Sequence, residues 1–281
     1  MSALLNKRLA RSLWRSKLRL FAVIFMVSVG VFAGLTFGGY SHNLSGMYDT
    51  MHADDDDGAN LADLWIDNRS TTWSAEQVAN FCQHLTDNWD LSAHDLDSCE
   101  GRNIIPGAMF FDDDGEDRII NSLWHGIAPT ANSDRVWMPD GHSGGRLAVA
   151  DDEIVIDAHV MEPLELNLGD TITIGAGSSS AEFSIVGYGY HPVHIFMAPE
   201  GSVFPPEAGE YVVGYLSESG MARLTGNDLG ASNTILLDVQ GTPSFDLPDT
   251  NEYEGKEIDA IKLQVEDSLT ATQLDARQRD R

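Results

Sequence analysis

The chain has 281 residues, with 17 Lys and Arg against 44 Asp and Glu, and a formal charge of −27. Positions 1–40 hold six basic residues and no acidic one, so positions 41–281 carry −33. So acidic a surface repels the phosphates of nucleic acid and anionic headgroups, which excludes nucleic acid as a partner of the bulk. Its only lysines are Lys256 and Lys262, and a Lys-poor, Asp-rich surface suits a salty medium such as a marine or halophilic one, where salt screens self-repulsion.

The leader holds Lys7, Arg8, Arg11, Arg15, Lys17 and Arg19. Among these, Leu5, Leu9, Leu13 and Trp14 form an apolar stripe, which predicts an amphipathic helix over 1–19 along a membrane interface. A generic basic flank accounts for the same residues. Positions 18–40 are almost wholly apolar, and a hydrocarbon core about 30 Å thick needs about 20 such residues as helix. Basic residues crowded at one end stay in the cytoplasm, so a transmembrane helix is expected with the acidic bulk outside. The competing reading is a cleaved signal peptide, but the run exceeds its usual apolar length and lacks a clear small-x-small site. Gly30, Gly34 and Gly38 recur every four residues on one face, where a second helix could approach closely; glycine is also simply common in membrane helices. No other stretch reaches spanning length, since 183–198 is interrupted by Gly187, Gly189, His191 and Pro192.

Residues 41–60, with the acidic run 54–57, read as a connector, and 61–241 as an extracytoplasmic core domain rich in short strands. The expected strands are 61–67, 103–111, 118–126, 153–157, 170–174, 181–190, 211–215 and 234–239, each short, apolar and bounded by turn residues. Helices are expected at 74–88, where Ser74 and Gln77 have capping-box spacing, at 160–168 despite Pro163, and at 217–224. The sheet is expected to be mixed, with helices packed against it. Residues 242–255 hold two prolines and several acids, as a hinge does. From 257 onward Ile258, Ile261, Val265 and Leu269 follow helical spacing, giving 242–281 as hinge and return helix.

Cys82 and Cys99 lie in the outer part, where an even count favours a disulfide; two buried thiols are the alternative. Catalytic motifs are missing from the sequence. Asp112, Asp113, Asp114, Glu116 and Asp117 around Gly115 fail EF-hand spacing and read as a solvated acidic hairpin. His191 and His194 flank Pro192 without a third ligand at zinc spacing, and read better as core or surface histidines. Ser143, Gly144 and Gly145 lack the nucleophile-elbow pattern, and no phosphate-binding loop is present. No catalytic, cofactor-binding or metal-ligating residue is therefore assigned.

The leader LLNKRLARSLWRSKLRLFAVIFMVSVGVFAG resembles the start of permease subunits of the MacB/FtsX family of ABC transporters. The likeness continues through Tyr48 and ANLADLWID at 59–67, then Gly145, Arg146 and Leu147, EIVID at 153–157, LGDTI at 168–172 and FSIVG at 183–187. It implies an α+β architecture: a transmembrane helix followed by a mixed α/β extracytoplasmic domain of the MacB periplasmic-core type. Family permeases carry three further membrane helices after this domain, so the sequence is expected to be either the N-terminal part of a longer subunit or a shortened relative. The likeness further implies an ABC ATPase subunit and a second permease subunit as partners, with membrane lipid around the helix. ATP hydrolysis would belong to that separate subunit, and the cargo would be a lipid, lipoprotein or small amphiphile. Leu5, Leu9, Leu13 and Trp14 would then face the ATPase, Gly30, Gly34 and Gly38 would pack the membrane bundle, and 257–281 would form a return stalk. A membrane-tethered binding or adaptor module without transport is the alternative, and an anchored hydrolase has no constellation to support it.

Overall fold

The computed structural model describes residues 17–51, 58–92, 94–113, 116–138, 144–194, 199, 206–241 and 256–280. The chain divides near residue 50 into two compact units. Among its described residues the first contains one helix, α1 (Lys17–Met51). Its segment Phe21–Gly39 is apolar and wholly unburied, and nineteen residues of helix rise about 28 Å, the thickness of a hydrocarbon core. The helix runs on through 41–51, which the sequence reading assigned to a connector. That stretch contains no proline, so nothing in its backbone stops the helix. Leu5, Leu9, Leu13 and Trp14 lie outside the described residues.

The second unit starts with β1 (Leu64–Asn68), α2 (Ala75–Asp87) and the 18-residue β2 (Leu96–Asp113). It closes with β8 (Thr234–Val239), α4 (Lys256–Thr272) and β9 (Ala276–Asp280). These strands lie in the order β2-β8-β1-β9, each antiparallel to its neighbour. Two β-α-β units interleaved in this way form the split arrangement of ferredoxin-like domains. One face of the sheet is covered by α2 and α4. Leu64 and Ile66 alternate onto that face and meet Val78, Phe81 and Leu85 of α2 and Ile258, Ile261, Val265 and Leu269 of α4. Ser74 caps α2 through the predicted box: Ser74 Oγ accepts from Gln77 N and Gln77 Oε1 accepts from Ser74 N. The Cys82–Cys99 disulfide joins α2 to β2, with Cα atoms 5.6 Å apart.

Between β2 and β8 the chain makes β3 (Glu116–Gly126), β4 (Glu153–Asp157), β5 (Thr171–Ala176), β6 (Ser179–Gly189), β7 (Tyr211–Leu216) and the helix α3 (Glu218–Thr225). Following the pairings from β2 leads through β3, β7, β4, β6 and β5 and back to β2. The sheet closes into a six-stranded barrel, mixed because β3–β7 and β4–β6 are parallel. A barrel this narrow has no lumen, and inward side chains fill it: Met109, Ile120, Trp124, Ile154, Ile156, Ile174, Phe183 and Ile185, with Met221 and Leu224 of α3. Trp124 needs two glycines to fit. Its Nε1 donates to Gly175 O at 2.9 Å, and a Cβ on Gly107 would lie 2.0 Å from that nitrogen. A Cβ on Gly214 would meet the far edge of the same ring at 2.7 Å.

Two expectations change. The helix expected at 160–168 is a 3₁₀ turn, Ala158–Val160, followed by irregular turns. Pro163 offers no N–H to continue a helix, and Glu165 adopts a positive φ of 52°. Val160, Leu164 and Leu166 still reach the barrel core. The return helix expected to run to the end of the chain stops at Thr272. Gln273 turns at a φ of 60°, and β9 pairs with β1 from Asn68↔Ala276 to Leu64↔Asp280. Segment 256–280 is therefore a helix and an edge strand of the domain, not a stalk.

Candidate functional site in the groove between barrel and sheet

Because β2 serves both sheets, the barrel and the four-stranded sheet share a strand, and a groove opens on the face of the sheet away from α2 and α4. Residues 96–102 of β2 pair with β8, and residues 103–113 with β3. At the change of partner, Asn233 grips the β2 backbone: its Nδ2 donates to Ile104 O at 2.6 Å and its Oδ1 accepts from Ile104 N at 2.9 Å. This amide clamp fixes the angle at which the barrel leaves the sheet. The groove holds about 780 Å³ and is lined by β1, β9, β2, β3 and the turn at 192–194.

Alternation on β1 sends Leu64 and Ile66 to the helices and Trp65 and Asp67 to the groove. The β1–β9 register sets Arg277 opposite Asp67 and Arg279 opposite Trp65. Arg279 Nε pairs with the Asp67 carboxylate and its Nη2 donates to Asp67 Oδ1 at 3.1 Å. The guanidinium carbon also sits 5.0 Å from the Trp65 ring centroid, where the ring's negative face attracts it. Arg277 makes a looser contact with Asp67, 3.5 Å, and its side chain is 65% exposed. Ile104 and Pro106 of β2 and Leu123 of β3 supply apolar lining.

At the barrel end of the groove three histidines cluster. His125 closes β3, and the Pro192–His194 turn carries His194 toward it. The two Nε2 atoms lie 2.9 Å apart, so one donates and the other accepts. His191 is buried; its Nε2 donates to Asp134 O at 3.2 Å and its Nδ1 accepts from Val193 N at 3.3 Å. Both ring nitrogens of His191 are thus used within the protein. Among the described residues no group of three or more His, Cys, Asp or Glu is placed to hold a metal ion.

Behind this cluster Tyr215 pairs across the strands with His125 and donates to Asp157 Oδ2 at 3.4 Å. Burial, and then the Asp157 charge, push the Tyr215 hydroxyl well above its ordinary pKa. Asp157 also accepts from His159 Nδ1 at 2.7 Å and from His159 N at 3.0 Å, and this hydrogen bond raises the pKa of the His159 imidazole. These contacts tie β4 to β7 and to the turn after β4.

No family model and no curated relative matches this chain. Solved structures that resemble it in fold include two extracytoplasmic domains. The periplasmic region of MacB from Actinobacillus actinomycetemcomitans superposes with a TM-score of 0.44 at 11% identity, over 77% of this chain and 87% of that one. The extracellular domain of the ABC-type transporter YknZ from Gram-positive bacteria gives 0.41 at 13% identity, over 77% and 99%.

The residues singled out from the sequence as bonded or packing fall in two places among the described residues. Cys82 and Cys99 are bonded on the helix-covered side of the sheet. Gly30, Gly34 and Gly38 lie on α1, each facing open space. Of the acidic stretch read as a solvated hairpin, Asp112 and Asp113 end β2 and pair with Asp117 and Glu116 of β3. The groove residues Trp65, Asp67, His125, Asn233, Arg277 and Arg279 carried no sequence assignment as a site. The alternation of Arg277 and Arg279 in ARQRD was the one available signal: period 2 is a strand's, and it places both arginines on one face.

Proposed function

We propose that this chain is the first membrane helix and extracytoplasmic domain of an ABC-transporter permease subunit. A separate ATPase acts on the cytoplasmic side, and its movements reach the outer domain through the membrane helices to export or release a lipid, lipoprotein or small amphiphile. The observation that carries this reading is the unburied span Phe21–Gly39, preceded by six basic residues and followed on the same chain by the acidic barrel domain. Further support lies in how the motifs of the family resemblance assemble. EIVID forms β4, FSIVG lies in β6 parallel to it, and TI of LGDTI begins β5 beside β6. Gly145 packs against Val186 and Gly187 where a Cβ would clash at 2.3 Å.

The alternative is a tethered adaptor, which binds an extracellular partner and transports nothing. Packing of Gly30, Gly34 and Gly38 against other helices separates the two readings. In the permease, Gly34→Leu forces helices apart and reduces co-recovery of the ATPase or of a second permease subunit from detergent extracts, whereas Val31→Leu leaves recovery unchanged. Equal recovery from both variants favours the adaptor, since lipid accepts Leu as readily as Gly.

A further inference from the structure

The groove inverts the charge of its domain. Positions 41–281 carry −33, yet among the described residues that line the groove the charged side chains are one acid, Asp67, and two bases, Arg277 and Arg279. Asp67 is committed chiefly to Arg279, which it holds against Trp65. Arg277, 65% exposed and 3.5 Å from the same carboxylate, can turn its guanidinium toward an incoming anion and bind it with two parallel N–H bonds. A few side chains away the wall is apolar, formed by Trp65, Ile104, Pro106 and Leu123.

We propose that the groove binds a small anionic amphiphile, with a carboxylate or phosphate head at Arg277 and Arg279 and an apolar or aryl body against Trp65, Ile104 and Leu123. A volume of about 780 Å³ is that of a site for a drug-sized ligand, which selects a soluble amphiphile over a two-chain membrane lipid. Low charge density on the surrounding surface would make such selection unnecessary. On a domain this acidic an anion is repelled everywhere else, so a cationic groove serves as a selective landing place. The inference gives the permease reading a cargo class but is measured without transport or ATPase, so either can fail alone.

The test is calorimetric titration of the full chain in phosphatidylcholine nanodiscs with 2-naphthyl phosphate, 2-naphthol and inorganic phosphate, with heats from empty nanodiscs subtracted. Saturable binding of 2-naphthyl phosphate is expected, weakening with added salt. Naphthol and phosphate alone should each bind at least tenfold more weakly, an amount equivalent to one good polar or apolar contact. Arg277→Gln should weaken 2-naphthyl phosphate about fivefold, while Arg118→Gln, which removes the same charge from an exposed site outside the groove, should leave it unchanged. Naphthol or phosphate binding as tightly as the conjugate overturns the proposal, as does equal weakening by both arginine variants or the absence of saturable binding.

Discussion

Glu153 shows how a single carboxylate can organise a loop and a strand. It opens β4 and receives the guanidinium of Arg146, with Arg146 Nη1 at 2.7 Å from Oε2, and it also accepts from Val149 N at 2.9 Å and Ala150 N at 3.0 Å. The Arg146 hydrogen bond, ahead of those backbone bonds, lowers its pKa to about 2. A carboxylate with a depressed folded-state pKa contributes stability that is fully present above the unfolded value and is lost as pH falls through the folded one. Glu153→Gln should therefore lower the urea midpoint at pH 7, and the gap to the parent should close between pH 4.5 and about pH 2. A gap that stays constant over that range would show that the ionised carboxylate is not the source. Arg146 and Glu153 were both legible as parts of motifs. Their pairing was not, because a seven-residue separation in irregular chain predicts no contact. The same holds for His125, a lone histidine at the end of an apolar strand, which meets His194 only through barrel closure.

Elements were read from local periodicity where local forces govern them. The capping box of Ser74 and Gln77 and the buried face Val78, Phe81 and Leu85 made α2 legible to within one residue at each end. By contrast, ARQRD is polar after Ala276 and takes strand form because β1 offers it a free edge, a tertiary cause that local composition does not announce. The disulfide links two such elements across 17 residues of sequence. It ties α2 to β2 at Cys99, the residue paired with Leu237 of β8, and so joins a covering helix to the sheet beneath it. Unreduced peptide mapping should recover Cys82 and Cys99 joined. Replacing both by Ala should cost about 3 kcal/mol in urea unfolding, the chain-entropy value for a loop of this size. An unchanged midpoint would show that the bond does not restrict the unfolded chain enough to stabilise the fold.

At the scale of the molecule, charge and hydropathy act first. Six basic residues before an apolar span predict a cytoplasmic leader and an acidic bulk outside. A cysteine introduced at Ser2 should resist an impermeant thiol reagent in intact cells, and one at Ser178, exposed at the β5–β6 turn, should react; labelling at position 2 alone would reverse the orientation. The long apolar helix, the mixed strand-rich domain and a bond between the two cysteines were legible in the sequence by itself, since each depends on composition or on spacing of a few residues. Closure of the barrel, the sharing of β2 between two sheets and the assembly of the groove depend on pairings between strands far apart in sequence. Trp65 and Arg279 are 214 positions apart by their numbering, and they meet because β9 returns to the edge of β1. Only the tertiary structure decides that, because a strand's sequence specifies which face is apolar but not which distant edge will satisfy its backbone hydrogen bonds.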